Sequence, residues 1–229
     1  MLLSFHGPHR ATVGTPTTLP GFPPPTAVWT GTEVLVWSSA PASPATQARE
    51  VVLAYNPSTN SWRRLPPSGL APRQGAVTVC TGSQLVVWGG LNDDLTFVYA
   101  DGARLDPATG TWRRLPAAPV AARGFAGAAW SGREVLRWGG EIARNAQTTS
   151  SNGAASVGQG AAYDPVTNRW RPLPLSPLRA KASPAAVWTG HLFIVIGGSA
   201  NGVLPAPGPG AAAYNPASNA WTALPTAPS

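Results

Sequence analysis

A fourfold internal repeat constrains this chain more than any other feature. Its first half reads Ala27-Val28-Trp29-Thr30-Gly31, Val79-Cys80-Thr81-Gly82, Ala129-Trp130-Ser131-Gly132 and Val187-Trp188-Thr189-Gly190, with glycines separated by 51, 50 and 58 residues. An apolar strand follows each glycine. In three repeats it ends in a glycine pair, Gly89-Gly90, Gly139-Gly140 and Gly197-Gly198, where the first repeat has Ser38-Ser39. The second half opens on Tyr55-Asn56-Pro57, Leu105-Asp106-Pro107, Tyr163-Asp164-Pro165 and Tyr214-Asn215-Pro216. It reaches Trp62, Trp112, Trp170 or Trp221 seven residues beyond the Tyr or Leu, then closes on Leu65-Pro66, Leu115-Pro116, Leu173-Pro174 or Leu224-Pro225. Self-similarity at such a period means stacked supersecondary units.

Each unit predicts two hairpins. Thr-Gly or Ser-Gly makes the first tight turn. In the second, Asn or Asp caps the turn through its side chain, Pro sets φ, and Asn60, Gly110, Asn168 or Asn219 takes the left-handed position. Four short antiparallel strands per repeat follow. One such sheet cannot bury both faces, and radial stacking against its neighbours solves this. The ten Trp fall at three positions of the repeat, a register suited to blade-on-blade packing and not to an aromatic ligand cage. They are assigned to the core. The predicted fold is all-β: four four-stranded antiparallel blades of a β-propeller over 23–72, 73–122, 123–180 and 181–229, preceded by an N-terminal stretch, 1–22.

Composition narrows the functional classes. Hydrophobic content of 43% against 11% charged residues excludes a disordered chain, and 25 Gly with 26 Pro demand frequent turns. The net charge of +7 invites a nucleic-acid reading. The arginines, however, are spread through the repeat, as at Arg63, Arg64, Arg113 and Arg114, without the patch or run such binding uses. Cys80 is the single cysteine, so an intrachain disulfide is excluded and the compartment is left open. No apolar run suits a signal peptide at the start of the given chain or a membrane span within it. An extracytoplasmic location would need an export signal upstream.

An apolar strand, Gly-Gly, Tyr-Asp-Pro, a Trp seven residues on, and Leu-Pro together resemble the kelch repeat, over residues 27–229. Ser38-Ser39 and Leu105 depart from the pattern. The resemblance implies a propeller of six or seven blades, so four blades form an incomplete ring. Thr17-Thr18-Leu19-Pro20 matches Arg63-Arg64-Leu65-Pro66 and reads as the tail of a preceding blade. Two readings stay open: a fragment of a longer propeller, or closure by self-association through the open blade edges.

The resemblance includes one enzyme class, copper radical oxidases of galactose-oxidase type, whose site needs a Cys-Tyr cross-link, a second Tyr and two His. The three histidines here are His6, His9 and His191, Cys80 sits at a Trp position of the repeat, and only Tyr99 is not a repeat tyrosine. That ligand set fails, so no metal and no cofactor is expected. No phosphate loop, His-Glu-x-x-His or Gly-x-Ser-x-Gly occurs, and adjacent Asp93 and Asp94 point apart on a loop.

Binding is the better expectation. By the resemblance, ligands sit on the rim made by loops before the first strand and between the second and third. Those loops carry Arg73 and Gln74, Arg123 and Phe125, and Arg179 and Lys181; the inserts are 38–50, 91–98, 141–159 and 199–210, with Glu141, Arg144 and Asn145 in the longest. Cations at equivalent points of successive blades would converge on one mouth and hold a carboxylate or sulfate. Alternatively, they are repeat-borne arginines that brace the blades. The expected function is a non-catalytic module binding a protein or glycan. The alternative is a carbohydrate-active enzyme, a sugar epimerase or oxidase, with part of its site on absent blades.

Overall fold

The computed structural model describes residues 25–40, 49–142, 158–179, 182–198 and 210–225. Sixteen strands and no helix are described there, in four separate antiparallel sheets. Blade one is β1 (Thr26–Trp29), β2 (Val34–Ala40), β3 (Arg49–Asn56) and β4 (Ser61–Arg64). Blade two is β5 (Val77–Cys80), β6 (Leu85–Trp88), β7 (Gly102–Asp106) and β8 (Thr111–Arg114). Blade three is β9 (Gly127–Trp130), β10 (Val135–Trp138), β11 (Gly160–Asp164) and β12 (Arg169–Pro172). Blade four is β13 (Ala185–Trp188), β14 (Phe193–Ile196), β15 (Ala211–Asn215) and β16 (Ala220–Ala223).

Strands within each blade pair in chain order, and β1, β5, β9 and β13 touch in succession, so the first strands form the hub. The four sheets do not close into a ring. Small residues permit the approach at the hub: a Cβ on Gly127 would lie 3.0 Å from the Ala186 Cβ.

Blade faces mate in a fixed sense. Leu35, Trp37, Val52 and Ala54 of blade one pack on Leu85, Val87, Ala103 and Leu105 of blade two. Leu136, Trp138 and Ala162 of blade three meet Phe193, Val195, Ala212 and Tyr214 of blade four. The fourth-strand Trp fastens each seam by donating its indole N–H to the preceding blade's Leu-Pro carbonyl: Trp112 to Pro66 at 2.8 Å, Trp170 to Pro116 and Trp221 to Pro174 at 3.1 Å. Here the core assignment needs one correction. Trp29 and Trp62 are 54% and 38% exposed, because they lie on the outward face of blade one, where no described strand covers them.

The turn chemistry matches expectation in detail. Asn56, Asp106, Asp164 and Asn215 accept a backbone N–H two residues on at 2.8–2.9 Å. Asn60, Asn168 and Asn219 stand at φ 50°, 55° and 51°, and each accepts the hydroxyl of its blade's Tyr55, Tyr163 or Tyr214. The exception explains itself: in blade two, where Leu105 has no hydroxyl, Gly110 (φ 68°) replaces the asparagine. Asn168→Ala should therefore cost about 2 kcal/mol in urea unfolding, combining a left-handed alanine with a lost hydrogen bond. Asn168→Gly should cost about half as much, since only the bond is lost.

Ser38-Ser39 has a visible consequence. The Gly89-Gly90 and Gly139-Gly140 pairs adopt positive φ and turn the chain off the sheet. The serines do not, so β2 and β3 run on in register to Ala40 and Arg49. Ser39 Oγ then accepts the N–H of Arg73 at 3.1 Å, a bond between blades one and two.

Candidate functional site

Loops before the first strand and between the second and third lie together on one rim. Gln74 bridges Leu91, Leu91 bridges Val98, and Gly124 bridges Glu141. The rim cations of blades two and three are not free. Arg73 is 2% exposed. Its Nη1 donates to Gly89 O at 3.1 Å and to Asp101 Oδ1 at 2.8 Å, its Nε donates to Ala71 O, and its guanidinium lies 4.1 Å over the Tyr99 ring. Arg123 is 1% exposed, with Nε on Ala121 O and its Nη atoms on Gly139 O, Gln159 O and Gln159 Oε1. Burial lowers its pKa to about 10. The bracing alternative describes both residues, and the picture of a cationic mouth formed by their side chains is corrected accordingly.

The other expected residues are placed as follows. Gln74 is half-buried and donates from Nε2 to Asp93 O at 3.0 Å, tying loop 91–98 to the hub. Phe125 is half-buried at φ 53° and joins three blades by backbone: its N–H donates to Gly75 O at 2.7 Å, and its carbonyl accepts from Ser183 N at 2.8 Å. Glu141 is half-buried and Arg179 is exposed. Arg144, Asn145 and Lys181 lie outside the described residues.

Sequence reasoning named loop 91–98 but not its key side chain. Asn92 organises the loop: its Oδ1 accepts Phe97 N at 2.8 Å and its Nδ2 donates to Thr96 Oγ1 at 3.1 Å. Thr96 Oγ1 donates to Asp94 Oδ1 at 2.7 Å, which holds the Asp94 carboxyl below its usual range. Leu95 takes φ 61° to close the turn. The result presents Phe97, 56% exposed, edge-on to Tyr99 with 5.1 Å between ring centroids, and Tyr99 lies under Arg73. An exposed Phe on a loop tied by these hydrogen bonds and ring contacts is a rigid apolar anchor. The one sequence signal is weak: Phe97 stands outside every repeat position.

The opposite rim carries a cleft of about 450 Å³ lined by Ser131, Arg133, Glu134, Arg171, Trp188, Pro216 and Asn219. Glu134 and Arg171 in it engage each other. Arg171 donates from Nε and Nη2 to Glu134 at 2.8 and 2.6 Å and from Nη1 to the Tyr214 hydroxyl, and the Glu134 bond raises the Arg171 pKa. Among the described residues, no group of three or more His, Cys, Asp or Glu is placed to hold a metal ion, and no helix is long and apolar enough to cross a membrane.

A family model described as the KLHDC2/KLHL20/DRC7 Kelch-repeats domain matches residues 25–229, which span all four blades. Compared with individual curated proteins, the chain has no match. The repeat, the four antiparallel sheets and this match agree: the chain belongs to the kelch-repeat family and is, at that level, a protein-interaction module.

Proposed function

We propose that this chain recognises a protein ligand through the rim of loop 91–98, with Phe97 as the anchor. Phe125, Glu141 and Arg179 belong to the same rim and contribute polar and apolar contacts around it, while Gln74 holds the loop in place. The observation that carries this reading is the fixed, half-exposed Phe97 ring. Interface hot spots are buried aromatic or Arg anchors surrounded by contacts that exclude water. Asp93 and Asp94, both exposed beside the anchor, favour a ligand segment carrying Lys or Arg next to an apolar side chain. A glycan would need a fan of free polar side chains around the ring. Gln74 and Asn92 here are spent on the loop itself, so a protein is the better fit.

The test is selection of displayed peptides on the immobilised chain. Phe97→Ser should lower affinity for the enriched peptides at least tenfold, about 1.4 kcal/mol, while Val166→Ser, an exposed control in another turn, should leave it unchanged. Undiminished binding by Phe97→Ser would refute this site, and enrichment on a glycan array alone would refute the ligand class.

A further inference from the structure

On the rim opposite Phe97, arginines bridge the first two seams between blades, and the third is left open. Between blades one and two, Arg63 is held by Glu33 at 2.6 Å and donates from Nη2 to Pro107 O, in the next blade's turn, at 2.9 Å. Between blades two and three the crossing donor is Arg104, whose Nη1 reaches Pro165 O at 2.6 Å. The matching acceptor between blades three and four is the Pro216 carbonyl, and no described donor crosses to it. Strand register places Ala162 where blade two has Arg104. Arg171, the counterpart of Arg63, is held by Glu134 and turns its Nη1 to the Tyr214 hydroxyl at 3.1 Å. With no guanidinium plugging it, the cleft of about 450 Å³ remains, within the roughly 300–1,000 Å³ of small-ligand sites.

Two lining residues set this cleft apart. Arg133 takes the turn position held by Thr32 in blade one and Ser83 in blade two. The seam beside Thr32 carries Cys80 where this one carries Trp188, and the seam beside Ser83 carries Trp130. Arg and Trp are combined only here among the three described seams. Arg133 is exposed, and its guanidinium bonds no acceptor among the described residues. Asp164 lies near enough to interact with it electrostatically but forms no ion pair with it, and gives its Oδ1 to the N–H groups of Val166 and Thr167. Trp188 is half-buried, and its indole N–H has no described acceptor. Asn219 spends its Oδ1 on the Tyr214 hydroxyl at 2.7 Å and keeps its amide N–H groups. Glu134, the one carboxylate lining the cleft, is taken by Arg171. The unspent side-chain groups are therefore donors, set beside an aromatic wall. Bracing accounts for Arg171 and Glu134, whose pair copies Arg63 and Glu33. It does not account for Arg133.

We propose that this cleft binds a small carboxylate carried on a ring, with the carboxylate on Arg133 and the ring against Trp188. A planar guanidinium meets a carboxylate in two parallel hydrogen bonds, and an indole offers the flat apolar wall that a ring needs. An Asp or Glu side chain of a peptide would satisfy Arg133 and leave Trp188 without a partner. Two ring bodies meet these terms, an aromatic acid and a uronic acid.

The test is titration of the full chain with benzoate and with glucuronate at constant ionic strength. Binding is read from the Trp188 indole N–H resonance, which Trp188→Phe identifies by its loss. At least one acid should shift that resonance saturably, and the tighter of the two names the ring. Its neutral counterpart, benzamide or methyl glucoside, should bind about tenfold more weakly. Arg133→Ser, which installs the blade-two residue, should weaken the acid by about tenfold with the unfolding midpoint unchanged. Thr32→Ser, at the same turn position in blade one, should change neither. A resonance indifferent to both acids, a neutral counterpart that binds as well, or full affinity in Arg133→Ser overturns the site.

Discussion

Alanine at position 89 should lower stability by about 3–5 kcal/mol, measured as a fall in the urea midpoint with an unchanged slope. Two effects combine. Gly89 sits at φ +72°, where an L side chain costs about 1–2 kcal/mol. A Cβ there would lie 2.4 Å from the carbonyl oxygen of Arg123 in the next blade. That oxygen is backbone and already accepts the Gly90 N–H at 3.0 Å, so relief requires the seam to open. Arg123 would move with it and loosen its bonds to Gly139 and Gln159. Gly31→Ala isolates the first effect: φ is +102°, but nothing lies within 4 Å of the added Cβ. It should cost only about 1–2 kcal/mol. Equal losses for the two variants would mean that the blade seam yields freely and that the close approach at Gly89 contributes nothing.

The contrast between these glycines marks how far a repeat can be read. Period, strand count and turn type were legible because each turn needs a particular residue at a particular place: Asn or Asp to cap, Pro for φ, Gly or Asn for the left-handed position. Even the Leu105 departure was decodable in principle, since the loss of its hydroxyl coincides with Gly110 in place of asparagine. Seams between blades are different. Arg73 and Arg123 look like free cations in sequence because charge suggests solvent; they are buried because backbone carbonyls brought together by the fold satisfy them. Arg137 is harder still. It occupies a valine position of the repeat, and only the three-dimensional packing shows it fully buried against the Trp88 ring. Phe97 was hidden for the opposite reason: one aromatic in a polar loop reads as incidental until Asn92 and Thr96 are seen to hold it rigidly outward.

Removal of the Arg73 side chain should cost about 3 kcal/mol and loosen the proposed binding loop as well. Arg73→Ala strips the donors from Gly89 O, Ala71 O and the Asp101 carboxylate and leaves a cavity beneath Tyr99. Asp101 is half-exposed and keeps Arg114 as a partner at 2.9 Å, so the buried carbonyls account for most of the loss. Arg114→Ala, by contrast, breaks a solvent-exposed pair and should cost less than about 1 kcal/mol. Because Phe97 rests on Tyr99 and Tyr99 on Arg73, Arg73→Ala should also speed hydrogen exchange at the Phe97 amide and weaken selected peptides, although the Arg73 side chain does not reach the surface. The measurement separates two roles for this arginine. A brace loses stability, loop protection and affinity together. A ligand contact would lose affinity alone, with the urea midpoint and the Phe97 amide unchanged, and that result would return Arg73 to the binding rim.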